Sequence, residues 1–149
     1  MMRLEIVTGG EDRAAVVRRE IDEFHAFFEQ WLPGRMPDTD AVFARVEAVL
    51  APDFTLVDPG GHEADRATMA QILRGLWNTR PKVHIWIEQF QLLLDAPPLL
   101  VARYEEWQVG SAGDTVRIST AIFRRHAAAP NGVQWVRVHE TWTARPGAG

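Results

Sequence analysis

Four side chains in this chain are of the right type and spacing for proton transfer. Asp58 and His62 flank the turn Pro59-Gly60-Gly61, with Glu63 next along. Turn glycines let backbone approach a ligand closely, and a carboxylate beside an imidazole can serve as a general base with its partner. The same residues also suit a solvated surface hairpin, since Asp and Gly are what tight turns use. His139 and Glu140 are neighbours in Trp135-Val136-Arg137-Val138-His139-Glu140-Thr141-Trp142. Neighbours on a strand point to opposite faces, so only one of the two looks into a given side of a sheet. An inward Glu140 would lie beside Trp142 and near Thr120 of the adjacent strand, where an apolar setting raises a carboxyl pKa as acid-base work requires. An inward His139 would put imidazole in that role, with Arg137 and Ser119 nearby. Either buried group needs a partner, because unpaired burial of charge is costly.

Other residues suit binding. Tyr104 offers a hydroxyl to a ligand oxygen, and Trp31, Trp86 and Trp142, three of six tryptophans, are placed where large rings would line the mouth of a pocket for an apolar or planar molecule. The expected binding set is therefore Trp31, Trp86, Tyr104, Thr120 and Trp142. Arg103, Glu105, Arg117 and Arg137 are expected to form a cross-strand ion-pair lattice on a subunit-facing surface. No metal site and no cofactor are expected. The sequence holds no His-Glu-x-x-His helix, no phosphate-cradling glycine loop and no Gly-x-Ser-x-Gly elbow, and His62, His84 and His139 lie on separate elements.

Three helices and a set of strands must position these groups. Between Glu11 and Leu32, apolar Val17, Ile21, Phe24, Phe28 and Trp31 recur every three or four residues, which predicts a helix about 30 Å long with one buried stripe. Thr8 to Glu11 fits a capping box, and Leu32-Pro33-Gly34 supplies the stop. A second helix is predicted from Asp40 to Leu50, capped by Asp38 or Asp40, followed by a short strand Phe54 to Val57. A third starts near Asp65, directs Met69, Ile72, Leu73, Leu76 and Trp77 inward, and ends at Arg80-Pro81. After Pro81 the period becomes twofold. Strands are predicted from Val83 toward Leu94, then Leu99 to Val109, Thr115 to Arg125 and Val133 to Thr143, joined by turns at Asp95 to Pro98, Gly110 to Asp114 and Ala128 to Gly132. Short links join antiparallel neighbours, so an all-antiparallel meander follows. An eleven-residue strand spans about 36 Å, close to the length of the first helix, so the sheet can curl around it into a one-mouthed cone.

Composition narrows the partners. The chain has 149 residues, 46% hydrophobic and 24% charged, which suits one domain over residues 1–149. Its net charge of -4 comes without a basic run, so nucleic acid is excluded as a partner. Cysteine is absent, no stretch reaches the roughly 20 apolar residues of a membrane span, and the start lacks an apolar run of signal-peptide length. A cytoplasmic location is the resulting expectation, with a frayed tail from Arg145 to Gly149. Both alternation sets of the long strands carry large or polar groups, so helices should cover one sheet face and a second subunit the other. A homodimer through the sheet is therefore expected, with a small apolar molecule as ligand.

Phe54 to Val57 with Asp58-Pro59-Gly60-Gly61, the helix with Ile72, Leu73 and Leu76, then Arg117 to Phe123 and Trp135 to Trp142 follow one another in an order that resembles the nuclear transport factor 2-like superfamily. That cone-shaped, cystatin-like group includes ketosteroid isomerase, scytalone dehydratase and SnoaL-like polyketide cyclases, and the chain looks most like its small stand-alone bacterial members of unassigned activity. The resemblance spans nearly the whole chain and implies an α+β fold, a curved antiparallel sheet wrapped around a long N-terminal helix, three helices in all. It implies a pocket between the concave sheet and the helices, and dimers through the sheet. Fold transfers from such a likeness better than chemistry does. The function expected is binding of a small molecule, with cofactor-independent isomerisation, dehydration or cyclisation through Asp58, His62, His139 or Glu140. The alternative is a non-catalytic ligand-binding or protein-interaction module.

Overall fold

Helix α1, Arg13–Trp31, forms because Val17, Ile21, Phe28 and Trp31 repeat on one face and are buried together. The structure, a computed structural model, describes residues 12–110 and 113–143. The expected capping box at Thr8 to Glu11, the tail from Arg145 and part of the turn at Gly110 to Asp114 lie outside the described residues. Asp12 caps α1 by accepting from Ala14 N at 3.0 Å. Thr39, in place of the expected aspartates, caps α2, Asp40–Val49, through Val42 N. Asp38 and Asp40 instead hold Arg74 at 2.7 and 3.0 Å. Helix α3, Arg66–Gly75, starts near Asp65 as expected, with Asp65 as its cap, but ends before Arg80-Pro81.

The strands are β1, Leu50–Val57; β2, Glu63–Asp65; β3, His84–Ala96; β4, Leu99–Val109; β5, Thr115–Arg125; and β6, Val133–Thr143. They form one sheet in the order β2-β1-β6-β5-β4-β3. β3 to β6 make the expected antiparallel meander. β1 departs from the all-antiparallel expectation: it runs parallel to β6, Val57 opposite His139, because β2, helix α3 and strands β3 to β5 separate the two strands in sequence. β1 is also longer than expected, and β2 folds back on it as a hairpin. Bulges between Glu88 and Gln91 on β3 and at Val136 on β6 bend the strands, which is how the sheet curves about α1.

The β4–β5 and β5–β6 registers decide what faces inward. Tyr104 pairs with Ser119 and Ser119 with Glu140; one rung along, Glu106 pairs with Arg117 and Arg117 with Trp142. Odd-numbered β5 residues thus share a face with even-numbered β4 and β6 residues. The Val136 bulge switches parity, so buried Trp135 joins the inner face and packs on Phe24 and Phe123. At the closed end of the core, buried Glu20 on α1 accepts two hydrogen bonds from Arg45, each 2.9 Å, one from Trp135 Nε1 at 2.9 Å and one from Asn131 Nδ2 at 3.0 Å. That cluster ties α1, α2 and the β5–β6 hairpin together. Among the described residues no helix is long and apolar enough to cross a membrane.

Candidate functional site

A cavity of about 420 Å³ opens between the inner sheet face and the helices, a size within the roughly 300–1,000 Å³ typical of small-molecule sites. One wall is apolar. Phe24 and Phe28 from α1, Phe54 and Leu56 from β1, and Met69, Ile72 and Leu73 from α3 line it. None of the residues of α3 is buried, and Ile72 is 47% exposed, although its apolar face is directed as the sequence predicts. The helix is held at its ends instead. Arg66 donates to Leu50 O and Glu47 O, Arg74 pairs with Asp38 and Asp40, and Trp31 Nε1 donates to Leu73 O.

The opposite wall is charged. His25 on α1, Glu106 and Gln108 on β4, Arg117 on β5 and Glu140 on β6 all line the cavity, together with Tyr104 and Arg80. His25 Nδ1 lies 2.7 Å from the carbonyl oxygen of Ile21, which only accepts, so this nitrogen carries a proton. Its Nε2 lies 3.3 Å from Glu106 Oε1, and facing an ionised carboxylate it must carry a proton as well. The geometry therefore selects imidazolium against carboxylate. Burial opposes the charge on His25, but Glu106 and the Ile21 carbonyl outweigh it and raise the pKa. Burial likewise opposes ionisation of Glu106, yet His25, Arg117 and the 2.6 Å hydrogen bond from Gln108 Nε2 hold its carboxyl far below the ordinary range. Gln108 in turn accepts from Arg80.

Glu140 differs from Glu106. Arg117 Nη1 donates to its Oε1 at 3.0 Å, but burial, reinforced by the charge of Glu106, prevails over Arg117 and raises its pKa above the usual value. Two carboxyl groups within reach of one arginine are thereby driven in opposite directions, the arrangement that separates a permanent anion from a proton carrier. Tyr104 is pushed well above its ordinary pKa by burial, then by Glu106 and Glu140, and stays a hydroxyl. Ser119 Oγ lies beside it, close enough to favour the ionised phenol slightly but without a well-formed hydrogen bond. Ser119 Oγ and Arg117 Nε are both buried with no hydrogen-bond partner among the described residues, a deficit of about 1–3 kcal/mol each, of the kind functional sites carry.

Of the residues singled out from sequence, Glu140 and Tyr104 meet on this wall. Asp58 and His62 line the rim. Asp58 Oδ1 accepts from the backbone N–H of Gly60 and of His62, each at 2.9 Å, and faces His62 Nδ1 at 3.3 Å. The His62 amide foremost holds that carboxyl below its usual range, so it braces a turn whose Gly61 has φ +87° and does not titrate where a general base works. His139 is exposed on the outer face opposite Thr120, also exposed, because the register gives that side to odd-numbered β6 residues and even-numbered β5 residues. Thr120 and His139 are thus corrected as cavity groups. Trp31 is core, its ring stacked on Phe27, and Trp86 stacks on Trp107 on the outer face. Trp142 is on the inner face but 53% exposed beyond the cavity, where it supports the Arg117 guanidinium at 5.0 Å. Arg117 leaves the expected outer lattice for the cavity, and Arg137 pairs with Thr55 and Glu63.

His25 and Glu106 are the functional candidates that sequence reading passed over. His25 stands four residues after Ile21, on the helix's buried stripe, and an ionisable group in an apolar stripe was the available signal.

Comparison with known proteins adds a family. A profile of the sucrose-6-phosphate phosphohydrolase C-terminal family matches residues 17–144. Sucrose-phosphatase 1 of Nicotiana tabacum is 23% identical over 126 residues, 83% of this chain, which spans 30% of the length of that relative. The structure of an NTF-2 like protein of unknown function from Pseudomonas aeruginosa superposes with a TM-score of 0.78 at 28% identity, covering 87% of this chain and 99% of that one. A CaMKII hub from S. rosetta has a TM-score of 0.55 at 16% identity, covering 69% of this chain and 86% of that one. The cone fold is thus shared with nuclear transport factor 2-like proteins.

Proposed function

The chain belongs to the sucrose-6-phosphate phosphohydrolase C-terminal family, and from its cavity we propose that it binds a small, mostly apolar molecule and moves a proton on it through Glu140. The observation that carries this reading is the pairing of opposed carboxyl groups. Glu106 is fixed as an anion between His25 and Arg117, while Glu140, two strands away across β5 on a cavity facing an apolar wall, is kept ready to exchange a proton. Arg117 positions Glu140, and Tyr104 is a hydrogen-bond donor for the ligand. Isomerisation, dehydration and cyclisation are the reactions such a wall supports without a cofactor.

The test separates neighbours on one strand. Glu140→Gln should abolish turnover of a bound substrate and leave the fold intact, whereas His139→Ala should leave turnover within about twofold, being on the outer face. Equal effects of the two would end the assignment.

A second reading has its own support. The relatives named sucrose-phosphatase are about three times as long as this chain, so the domain in them is one part of a larger enzyme, compatible with a non-catalytic binding role. Their name makes sucrose 6-phosphate a candidate ligand. The apolar wall argues against it, and calorimetric titration with that sugar phosphate decides. For the outer face we propose a second copy of this chain. The stacked Trp86 and Trp107 pair, half-buried Ile118 and Ile122 on the same face, and the hub role named for the S. rosetta protein support it. Sedimentation showing only monomer at micromolar concentration would remove it.

A further inference from the structure

Most charges on the cavity wall are paired. The lining holds the cations His25, Arg80 and Arg117 and the carboxylates Asp58, Glu63, Glu106 and Glu140, with Arg137 pairing Glu63 from outside the lining. The pairings are local: His25 with Glu106 at 3.3 Å, Arg117 with Glu140 at 3.0 Å, Arg137 with Glu63 at 3.2 Å, and Arg80 linked to Glu106 through Gln108. Asp58 is spent on two backbone N–H groups beside His62. An ion entering beside Arg117 and Glu140 would meet a pair already matched in charge and would lose its hydration against an apolar wall, at a large desolvation cost.

The Arg117–Glu140 bond nevertheless leaves two polar atoms unengaged. It uses Nη1 and Oε1 alone, so Arg117 Nη2 and Glu140 Oε2 make no hydrogen bond among the described residues. Neither atom is among those sealed from contact, unlike Arg117 Nε, and both residues line the cavity. One ion pair on the cavity wall thus keeps both a donor and an acceptor unengaged. The matching head presents an acceptor next to a donor and carries no charge.

We propose that the cavity selects an uncharged ligand of the carboxamide or lactam class. Its carbonyl oxygen accepts from Arg117 Nη2, its N–H donates to Glu140 Oε2, and its apolar body lies against Met69, Ile72 and Leu73. This rests on the binding reading above and names the ligand class for the same site. The carboxylate isostere would set a second anion against Glu140, and the amine would set a third cation beside His25 and Arg117.

Isothermal titration of the full chain with octanamide, octanoate, octylamine and 2-octanone tests it. The expected order puts octanamide at least about tenfold tighter than each of the other three, the worth of one satisfied hydrogen bond or one avoided buried charge. Octanoate or octylamine equalling octanamide overturns the neutrality argument while leaving the cavity reading in place. Equal binding of 2-octanone, which has no donor, overturns the paired head. Failure of all four overturns the inference together with the cavity reading.

Discussion

Replacing Arg117 by methionine keeps an aliphatic stem of similar length and removes the charge that two carboxyl groups share. In the native chain the guanidinium lies 3.0 Å from Glu140 and 3.9 Å from Glu106, with 20% of the side chain exposed. Removing one partner of a buried pair costs about 3–5 kcal/mol. Two features here reduce that figure: the partial exposure of Arg117, and the ability of Glu140 to take a proton. We expect a loss of about 2–4 kcal/mol near pH 8, or roughly 4–16 °C in Tm for a chain of this size. The loss carries a definite pH dependence. Glu140 already has a raised pKa, and Arg117 is the group that holds it down. Without Arg117 that pKa rises further, so the penalty is absent below the unfolded value of 4.5 and grows as pH rises through the folded one. At about pH 5 most of the loss should vanish, and the double variant R117M/E140Q should recover stability at about pH 8. Urea and thermal unfolding followed by circular dichroism across that range measure all three. A loss equal at both pH values, or a double variant no more stable than R117M, would refute the reasoning.

Glu20→Gln should cost about 2–4 kcal/mol in urea unfolding, since it breaks the bidentate pair with Arg45 and weakens the Trp135 and Asn131 bonds. It should leave cavity binding unchanged, because Glu20 does not line that space. Ile72→Ser should change stability by no more than about 0.5 kcal/mol, the residue being 47% exposed, yet weaken binding of an apolar probe such as 2-octanone several-fold by calorimetry.

The meander, the stripe of α1 and the start of α3 near Asp65 were legible because each rests on local periodicity or on local sequence. The nuclear transport factor 2-like cone was legible from element order. The sucrose-phosphatase relationship was not, at 23% identity spread over 126 residues without a catalytic signature. Face assignments failed where they depended on register. Alternation within β5 is plain, but whether Thr120 or Ser119 faces Tyr104 is fixed by the connection from β4, and a one-residue slip moves every side chain to the other face. The Val136 bulge hid the inward turn of Trp135 for the same reason, and the parallel pairing of β1 with β6 is a contact between residues far apart in sequence. Of the alternatives His139 and Glu140, which alternation alone left open, it is Glu140 that lines the cavity. His25 was missed because an apolar stripe draws attention to its apolar members.

Two carboxyl groups on β4 and β6, with β5 between them, behave in opposed ways. Carbon-13 NMR titration of the glutamate side-chain carboxyls, assigned with Glu140→Gln and Glu106→Gln, observes it directly. The expected result is a Glu140 carboxyl titrating above the ordinary 4.5 and a Glu106 carboxyl still ionised well below it. A Glu140 that titrates at or below the ordinary value, or two carboxyls that titrate together, would contradict it.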